Sequence, residues 1–166
     1  SIAVPNEIKY VSTISFIGNA KIHDADLRSI IKLQAPMFFN RSKFSHKKLN
    51  KDKIALQAYY RSKGFLEVDI ITEFNANNEN YINIKYFINE GNQYRLRDLI
   101  ISGNKLFTEN EILSKLDHTS INQYYNPVQI RKKLQLLKRD YLINGKVDIS
   151  IMDEIVIDTE NVIARI

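Results

Sequence analysis

The sequence has 166 residues, and its 24 lysines and arginines against 19 aspartates and glutamates give a formal net charge of +5. No apolar stretch approaches the ~20 residues of a membrane-spanning helix. The lack of cysteine excludes a disulfide framework and a thiolate metal site. The positive charge suggests nucleic acid as a partner, although a solvated basic surface is the commoner explanation.

The chain opens with a predicted strand from Tyr10 to Phe16, in which Tyr10, Ser12, Ile14 and Phe16 share one face. The strand ends at Gly18-Asn19, a pair typical of a tight turn. Asp24 is the expected N-cap of a short helix. That helix should end by Gln34, because Pro36 disfavours helical geometry in the residue before it.

The rest of the first unit is predicted as a helix and two strands. The helix runs from about Leu49 to Lys63 and is followed by Gly64, a typical C-terminal cap. The first strand places five residues on one face: Leu66, Val68, Ile70, Thr72 and Phe74. A hairpin loop at residues 75–80 then leads to a strand that carries Ile82, Ile84, Tyr86 and Ile88.

The second unit repeats this order, beginning with a strand from Tyr94 to Ser102 and the pair Gly103-Asn104. Thr108 and Glu111 have the spacing of a capping box at the start of a helix. Asn126-Pro127 predicts the start of the next helix, with asparagine as N-cap and proline in the first turn.

Two strands are predicted to end the second unit. The first carries Val147, Ile149 and Ile151. The run 161–166 follows, and we expect it to be a last strand cut short by the end of a piece of a longer protein. The final strands of each unit should form an antiparallel hairpin, and the helical pair allows a parallel crossover from the first strand.

The two units are therefore an internal repeat. The numbering offset between them is 85 at the turn glycines Gly18 and Gly103 (103 − 18) and 81 at the glycines that end the pattern Leu-x-x-x-Tyr-x-x-x-Gly (145 − 64). The second unit has thus lost four residues between its helices. The sequence predicts an α+β fold of two β-α-α-β-β domains, 1–91 and 92–166, each a three-stranded mixed sheet covered by two helices. Their junction consists of Glu90, Gly91 and Tyr94, and Gly18, Asn19, Gly103 and Asn104 mark the register.

The sequence contains no catalytic pattern. His23, His46 and His118 lack ligand spacing and are expected at the surface, so no catalytic residue, metal ligand or cofactor is assigned. Basic runs at residues 41–53 and 131–139 leave RNA binding as a remote alternative. The segments between the helices lack the G-x-x-G loop of KH modules, and we expect no nucleic-acid partner.

The repeated order resembles POTRA (polypeptide-transport-associated) domains, most of all those of BamA-type assembly factors. The segments that carry the resemblance are Tyr59–Phe65, at the end of the second helix, and Ile88–Leu96, where Glu-Gly ends one domain. The resemblance implies a non-catalytic periplasmic segment of an outer-membrane β-barrel protein. It also implies three partners: unfolded outer-membrane proteins, accessory assembly lipoproteins and a C-terminal β-barrel of the same chain.

The mechanism that this resemblance favours is strand addition, in which an extended segment pairs with an exposed sheet edge. A three-stranded sheet has two such edges. We expect binding at the middle strand of each unit, Leu66–Phe74 and Val147–Ile151, with the first helix as the wall of the groove. The alternative is a spacer and docking module, as in two-partner secretion or TamA-like transporters.

Overall fold

The computed structural model describes residues 7–78, 80–116 and 120–166. His118, predicted at the surface, lies outside these residues. Within them, no helix combines the length and the apolar character that crossing a membrane requires. Contacts divide the chain into two compact units: Ser1–Tyr60 with Glu67–Gly91, and Arg61–Leu66 with Asn92–Ile166.

The first unit has the predicted order of elements. These are β1 (Tyr10–Ile17), α1 (Asp24–Ile30), α2 (His46–Ser62), β2 (Asp69–Asn78) and β3 (Tyr81–Asn89). The sheet order is β1-β3-β2, with β3 parallel to β1 and antiparallel to β2. The inner sheet face and the helices enclose a core whose largest members include Leu27, Leu56, Tyr60, Ile70, Ile84 and Tyr86.

The second unit repeats this topology. Its elements are β4 (Arg95–Ile100), α3 (Glu109–Leu116), α4 (Pro127–Ile143), β5 (Glu154–Asp158) and β6 (Asn161–Arg165). The sheet order is β4-β6-β5, again with one parallel and one antiparallel pair. The core includes Leu96, Leu99, Leu116, Leu137, Tyr141 and Val162. The predicted α+β fold with two mixed sheets is confirmed.

The predicted alternation along β1 is wrong at its start. The pairing of β1 with β3 shifts register between Val11 and Thr13, so Ser12 is the extra residue of a β-bulge. The bulge brings Val11 onto the buried face with Ile14 and Phe16. The same shift occurs one repeat later, between Leu96 and Asp98, and buries Leu96 with Leu99.

The helix starts are partly as predicted. Thr108 and Glu111 form the capping box: the Thr108 N–H donates to Glu111 Oε2 at 2.7 Å, and the Glu111 N–H donates to Thr108 Oγ1 at 3.3 Å. Asn126 caps α4 by accepting from the Gln129 N–H. Asp24 is not an N-cap, because α1 begins at Asp24 itself and His23 is the cap residue, without a side-chain hydrogen bond.

The boundaries of α2 and of the first hairpin also differ from the prediction. Helix α2 starts at His46 rather than near Leu49, because the Ser45 hydroxyl accepts from the Lys48 N–H and caps an earlier turn. The predicted loop at 75–80 is too long, since Asn75 pairs with Asn83 inside the sheet. Pairing with β3 overrides the turn preference of asparagine.

The predicted strand at Val147–Ile151 is wrong. The strand of this region is β5, which begins only at Glu154. The register pairs Glu154 with Arg165, and residues 147–151 have no partner in this ladder among the described residues. Val147 is exposed, whereas Ile149 and Ile151 pack against the core without joining the sheet.

Candidate polypeptide-binding edges

One edge of the first sheet is covered by its own chain. The Val11 N–H donates to the Ser42 carbonyl at 2.9 Å, and the Phe44 N–H donates to the Lys9 carbonyl at 2.8 Å. Tyr10 and Lys43 thereby form an antiparallel bridge. The segment just before α2 thus covers the start of the β1 edge.

The second sheet is covered at the equivalent place. The Leu96 N–H donates to the Gln123 carbonyl at 2.9 Å, and the Asn122 N–H donates to the Leu96 carbonyl at 2.7 Å. The bridge here joins Arg95 and Tyr124. Both bridge partners follow the repeat, with a numbering offset of 85 for the strand (95 − 10) and of 81 for the covering segment (124 − 43).

The opposite edges, formed by β2 and β5, have no such cover. Among the described residues, the only main-chain ladder partner of β2 is β3, and that of β5 is β6. An edge strand presents unpaired N–H and C=O groups along its outer side. Within the described residues, each sheet therefore has one edge without a main-chain partner.

The family comparison agrees with this repeated geometry. A sequence model of POTRA, described as "Surface antigen variable number repeat", matches residues 9–91 and again residues 94–166. The chain belongs to the POTRA family. The two matches are the two tandem domains.

Two curated proteins are similar to these POTRA domains. The chain is 26% identical over 141 residues to a Treponema pallidum (strain Nichols) protein described as "Putative outer membrane protein assembly factor", covering 81% of the chain and 17% of that protein. It is 25% identical over 152 residues to outer membrane protein assembly factor BamA of Buchnera aphidicola subsp. Acyrthosiphon pisum (strain APS), covering 85% and 24%. The chain therefore spans less than a quarter of the length of either relative.

Solved POTRA structures share the fold. Haemophilus influenzae BamA POTRA3-5 superposes with a TM-score of 0.73 at 20% identity, covering 98% of this chain and 67% of that one. Haemophilus ducreyi BamA lacking POTRA domains 1-3 gives a TM-score of 0.68 at 13% identity, covering 94% and 29%. Together with the curated relatives, these matches identify tandem POTRA domains of a BamA-type factor, the periplasmic portion of an outer-membrane protein.

The predicted binding residues of the first POTRA domain lie in and before β2, and most of them face inward. Val68 and Ile70 are buried, and Thr72 is half-buried. Leu66 precedes the strand and packs against the core of the second compact unit. Because the residues of this face pack inward, the groups that remain accessible along the β2 edge are its backbone and its outward-facing side chains.

An apolar row on the outer face was not predicted. Ile71 is 57% exposed and is paired with Phe87, which is also paired with Ile17 of β1. The three side chains cross the whole sheet beside the open β2 edge. The signal in the sequence was Ile71 itself, an apolar residue on the face that Glu67, Asp69 and Glu73 mark as polar.

Phe74 belongs to an aromatic cluster at the far end of β2. Its ring centroid lies 5.1 Å from that of Phe44 and 5.0 Å from that of His46. The wall beside Phe74 therefore comes from the start of α2, where α1 had been expected. A cleft of about 500 Å³ opens here, bordered also by Ile8 and Lys43.

The open edge of the second POTRA domain lies later in the chain than predicted, at β5. It carries Ile155 and Ile157, which the sequence analysis missed and which are 38% and 46% exposed. Both are paired with buried β6 residues, Ala164 and Val162, so their side chains lie on the inner face of the sheet, at its edge. Val147, Ile149 and Ile151 lie beside this edge rather than on it.

The turn and junction residues make structural contacts. Asn19 Nδ2 donates to the Ile22 carbonyl and Asn104 Nδ2 to the Phe107 carbonyl, each at 2.9 Å. At the junction, the carboxylate of buried Glu90 accepts from the Lys21 N–H and from the Tyr60 hydroxyl. These contacts hold the ends of the strands in place.

The remaining junction residues are Gly91 and buried Tyr94, which makes a main-chain contact. Gly91 has a positive φ of 67°, and the N–H of buried Tyr94 donates to the Gly64 carbonyl. Burial, followed by the Glu90 charge, raises the pKa of Tyr60, so Tyr60 remains a hydrogen-bond donor at neutral pH. In the described part of the chain, no three His, Asp or Glu side chains cluster as metal ligands.

Proposed function

We propose that this POTRA pair is a non-catalytic module that receives unfolded outer-membrane proteins by strand addition at the β2 and β5 edges. The observation that carries the proposal is the asymmetry of the two sheets. In each, a segment of the chain covers the edge of the first strand, and the opposite edge has no main-chain partner among the described residues. The fold thus leaves one ladder open in each repeat.

The chemistry of such an edge suits an assembly factor. Main-chain hydrogen bonds are the same for every sequence, so an edge accepts many clients. Exposed Ile71 and the cleft at Phe74 add apolar contacts that favour strands with hydrophobic alternate residues. The curated relatives are described as outer membrane protein assembly factors, which supports such clients and a barrel of the same chain as partners. Accessory lipoproteins complete the proposed set of partners.

The predicted domain boundary belongs to this proposal. We assign residues 1–91 to the first domain and 92–166 to the second, and the first family match also ends at residue 91. Under this boundary each domain contains one covered and one open edge.

The test uses a labelled protein and synthetic peptides with the alternating pattern of an outer-membrane β-strand. Two isomers carry backbone N-methyl groups on alternate residues, one at odd and one at even positions, and an unmodified peptide is the reference. Since an added strand donates only from alternate N–H groups to the edge, one isomer should bind about tenfold more weakly than the other. Amide shifts should concentrate in residues 69–78 and 154–158.

Two results would contradict the mechanism. Equal binding of both isomers would mean that side chains rather than the backbone hold the peptide. Shifts confined to residues 42–44 or 122–125 would place binding on the covered edges instead.

A further inference from the structure

A turn at Met37–Asn40 carries Phe38 and Phe39, the two most exposed large apolar side chains of the described residues. Phe38 is 97% exposed, Phe39 103% and Met37 68%. The Met37 N–H donates to the Asn40 carbonyl and the Asn40 N–H to the Met37 carbonyl, at 3.3 and 3.0 Å. These two bonds close the turn and hold both phenylalanines at its tip.

The turn holds an unfavourable backbone conformation. Phe38 has a φ of 54°, in the left-handed region that bulky side chains rarely adopt. A glycine or asparagine at this position would relieve the strain. The chain therefore combines local strain with two phenylalanines in water, and neither contributes to the core of the domain.

The second domain is four residues shorter in the segment that contains this turn. The numbering offset is 85 between the starts of β1 and β4 (95 − 10) and 81 between the starts of α2 and α4 (127 − 46), so four residues of the first domain have no counterpart between the helices. Both helices of the equivalent pair α2 and α4 have 17 residues. The fold therefore accepts a shorter segment between its two helices, and the exposed side chains of the turn do not contribute to the core.

The segment of the sequence that carries the turn is positively charged. Lys32 borders the same cleft as Met37 and Asn40. Between Gln34 and Lys51 the sequence contains no acidic residue, and its five cations are all exposed: Arg41, Lys43, Lys47, Lys48 and Lys51. The first acidic residue, Asp52, is buried and accepts from the N–H groups of Lys32 and Leu33. The segment of the aromatic tip therefore carries positive charge that no exposed acidic residue of the same segment offsets.

We propose that the Met37–Phe39 tip inserts into the headgroup region of an anionic phospholipid surface. Aromatic side chains flanked by lysine and arginine are the composition of an interfacial membrane contact, since the rings enter the acyl boundary while the cations meet lipid phosphates. The chain is the periplasmic portion of an outer-membrane protein, so such a surface is available to it. This contact is separate from strand addition, because no residue of β2 or β5 takes part in it.

The test exploits the absence of tryptophan from the sequence. Phe39→Trp makes a single reporter at the tip, and Ile143→Trp, at an exposed position of α4, is its matched control. Vesicles consist of phosphatidylcholine alone or of equal parts phosphatidylcholine and phosphatidylglycerol. We expect a blue shift of emission only for the tip reporter and only with the anionic vesicles.

Variants of the unlabelled protein separate the two parts of the contact. The double variant Phe38→Ser/Phe39→Ser should lose about tenfold or more in vesicle partitioning. Lys47→Gln should lose up to roughly fivefold at low salt. Since all these side chains are exposed, amide spectra and strand-peptide binding should stay those of the wild type, which distinguishes this contact from the proposed function.

Several results would overturn the proposal. These are equal partitioning to both kinds of vesicle, partitioning that the double serine variant leaves unchanged, and a blue shift of the Ile143→Trp control alone. Self-association that disappears in the double serine variant, without any vesicle binding, would assign the tip to a second copy of the protein instead.

Discussion

The two POTRA domains are alike in their main-chain contacts and unlike in their buried side-chain contacts. Both have a bulge near the start of the first strand, an asparagine side chain that bonds a carbonyl three residues later, and a segment that covers the first strand. All three features involve backbone groups, and the geometry of the backbone depends little on which side chains the sequence carries. The comparison teaches that the repeat retains the backbone geometry while the sequences around it diverge.

The differences lie around Gly18 and Asp52. A Cβ added to Gly18 would stand 2.1 Å from the Ile88 carbonyl oxygen, whereas one added to Gly103 would meet nothing within 4 Å. Asp52 is buried and accepts two backbone N–H groups, and the equivalent position of α4 is Lys133. The first domain thus depends on specific contacts that the second lacks.

The largest expected effect tests the two turn glycines. Gly18→Ala should destabilise the first domain by about 3 kcal/mol or more, because the new methyl group meets a backbone carbonyl and φ is 93°. Gly103→Ala, with φ of 73° and open space, should cost the second domain only about 1 kcal/mol. Amide hydrogen exchange in β3 and β6 reports the two domains separately. Equal losses of stability in the two variants would mean that the positive φ, rather than the close approach of the Ile88 carbonyl, determines the effect at both glycines.

Asp52 provides the next test. Asp52→Asn replaces one acceptor oxygen by an NH₂ group opposite a backbone N–H, so the first domain should lose about 2 kcal/mol. Lys51→Asn, an exposed neighbour in the same helix, is the control and should change stability by less than about 0.5 kcal/mol. Hydrogen exchange of the Lys32 and Leu33 amides should accelerate only in the first variant. Unchanged exchange there would show that the two N–H groups find other acceptors.

The N-cap positions of α1 and α3 are occupied by different residues, and substitutions at the two positions should change stability in opposite directions. Thr108→Ala should destabilise the second domain by about 1 kcal/mol, since the Thr108 hydroxyl both donates to the Glu111 carboxylate and accepts from the Glu111 N–H. His23, at the equivalent position of the first domain, makes no side-chain cap bond. His23→Thr should therefore stabilise the first domain by roughly 0.5 kcal/mol in thermal unfolding. A destabilised His23→Thr variant would indicate that the imidazole has a role beyond the cap.

The smallest effect is a pH dependence of the second domain. The Thr108 N–H and hydroxyl hold the pKa of Glu111 below its ordinary value of 4.5. Because the folded-state pKa lies below the unfolded one, the stabilisation is complete above 4.5 and is lost as the pH falls through the folded-state pKa. Glu111→Gln should remove this dependence, so acid titrations of β6 hydrogen exchange should differ from those of the wild type only at pH values near and above that range. If the titration curves of the wild type and of Glu111→Gln ran parallel at every pH, the assignment of the pH dependence to Glu111 would be contradicted.

Local sequence signals predicted most of the fold. The capping box at Thr108, the cap at Asn126 and the glycine after each long helix act within one helical turn, so neighbouring residues suffice to recognise them. The two-unit repeat and its four-residue slip followed from the same signals. Alternation also located β3, whose inward residues Ile82, Ile84, Tyr86 and Ile88 are all buried.

The edge geometry depended on contacts that are distant in sequence. The bulge at Ser12 appears only in the pairing of β1 with β3, and the cover of the β1 edge joins two segments on either side of α1, at Val11 and Ser42. The shift of the second edge to Glu154–Asp158 depended on its pairing register with β6. No local sequence pattern predicts the bulge, the cover of the β1 edge or the position of β5.

The sequence by itself thus determined the family, the number of repeats and the order of helices and strands, because caps, turns and alternating patterns are local properties of the chain. The tertiary structure decided which edge of each sheet stays open and that Phe38 and Phe39 project into solvent. Both results depend on where separate segments meet in space. The sequence of a strand does not predict whether another segment will cover its edge.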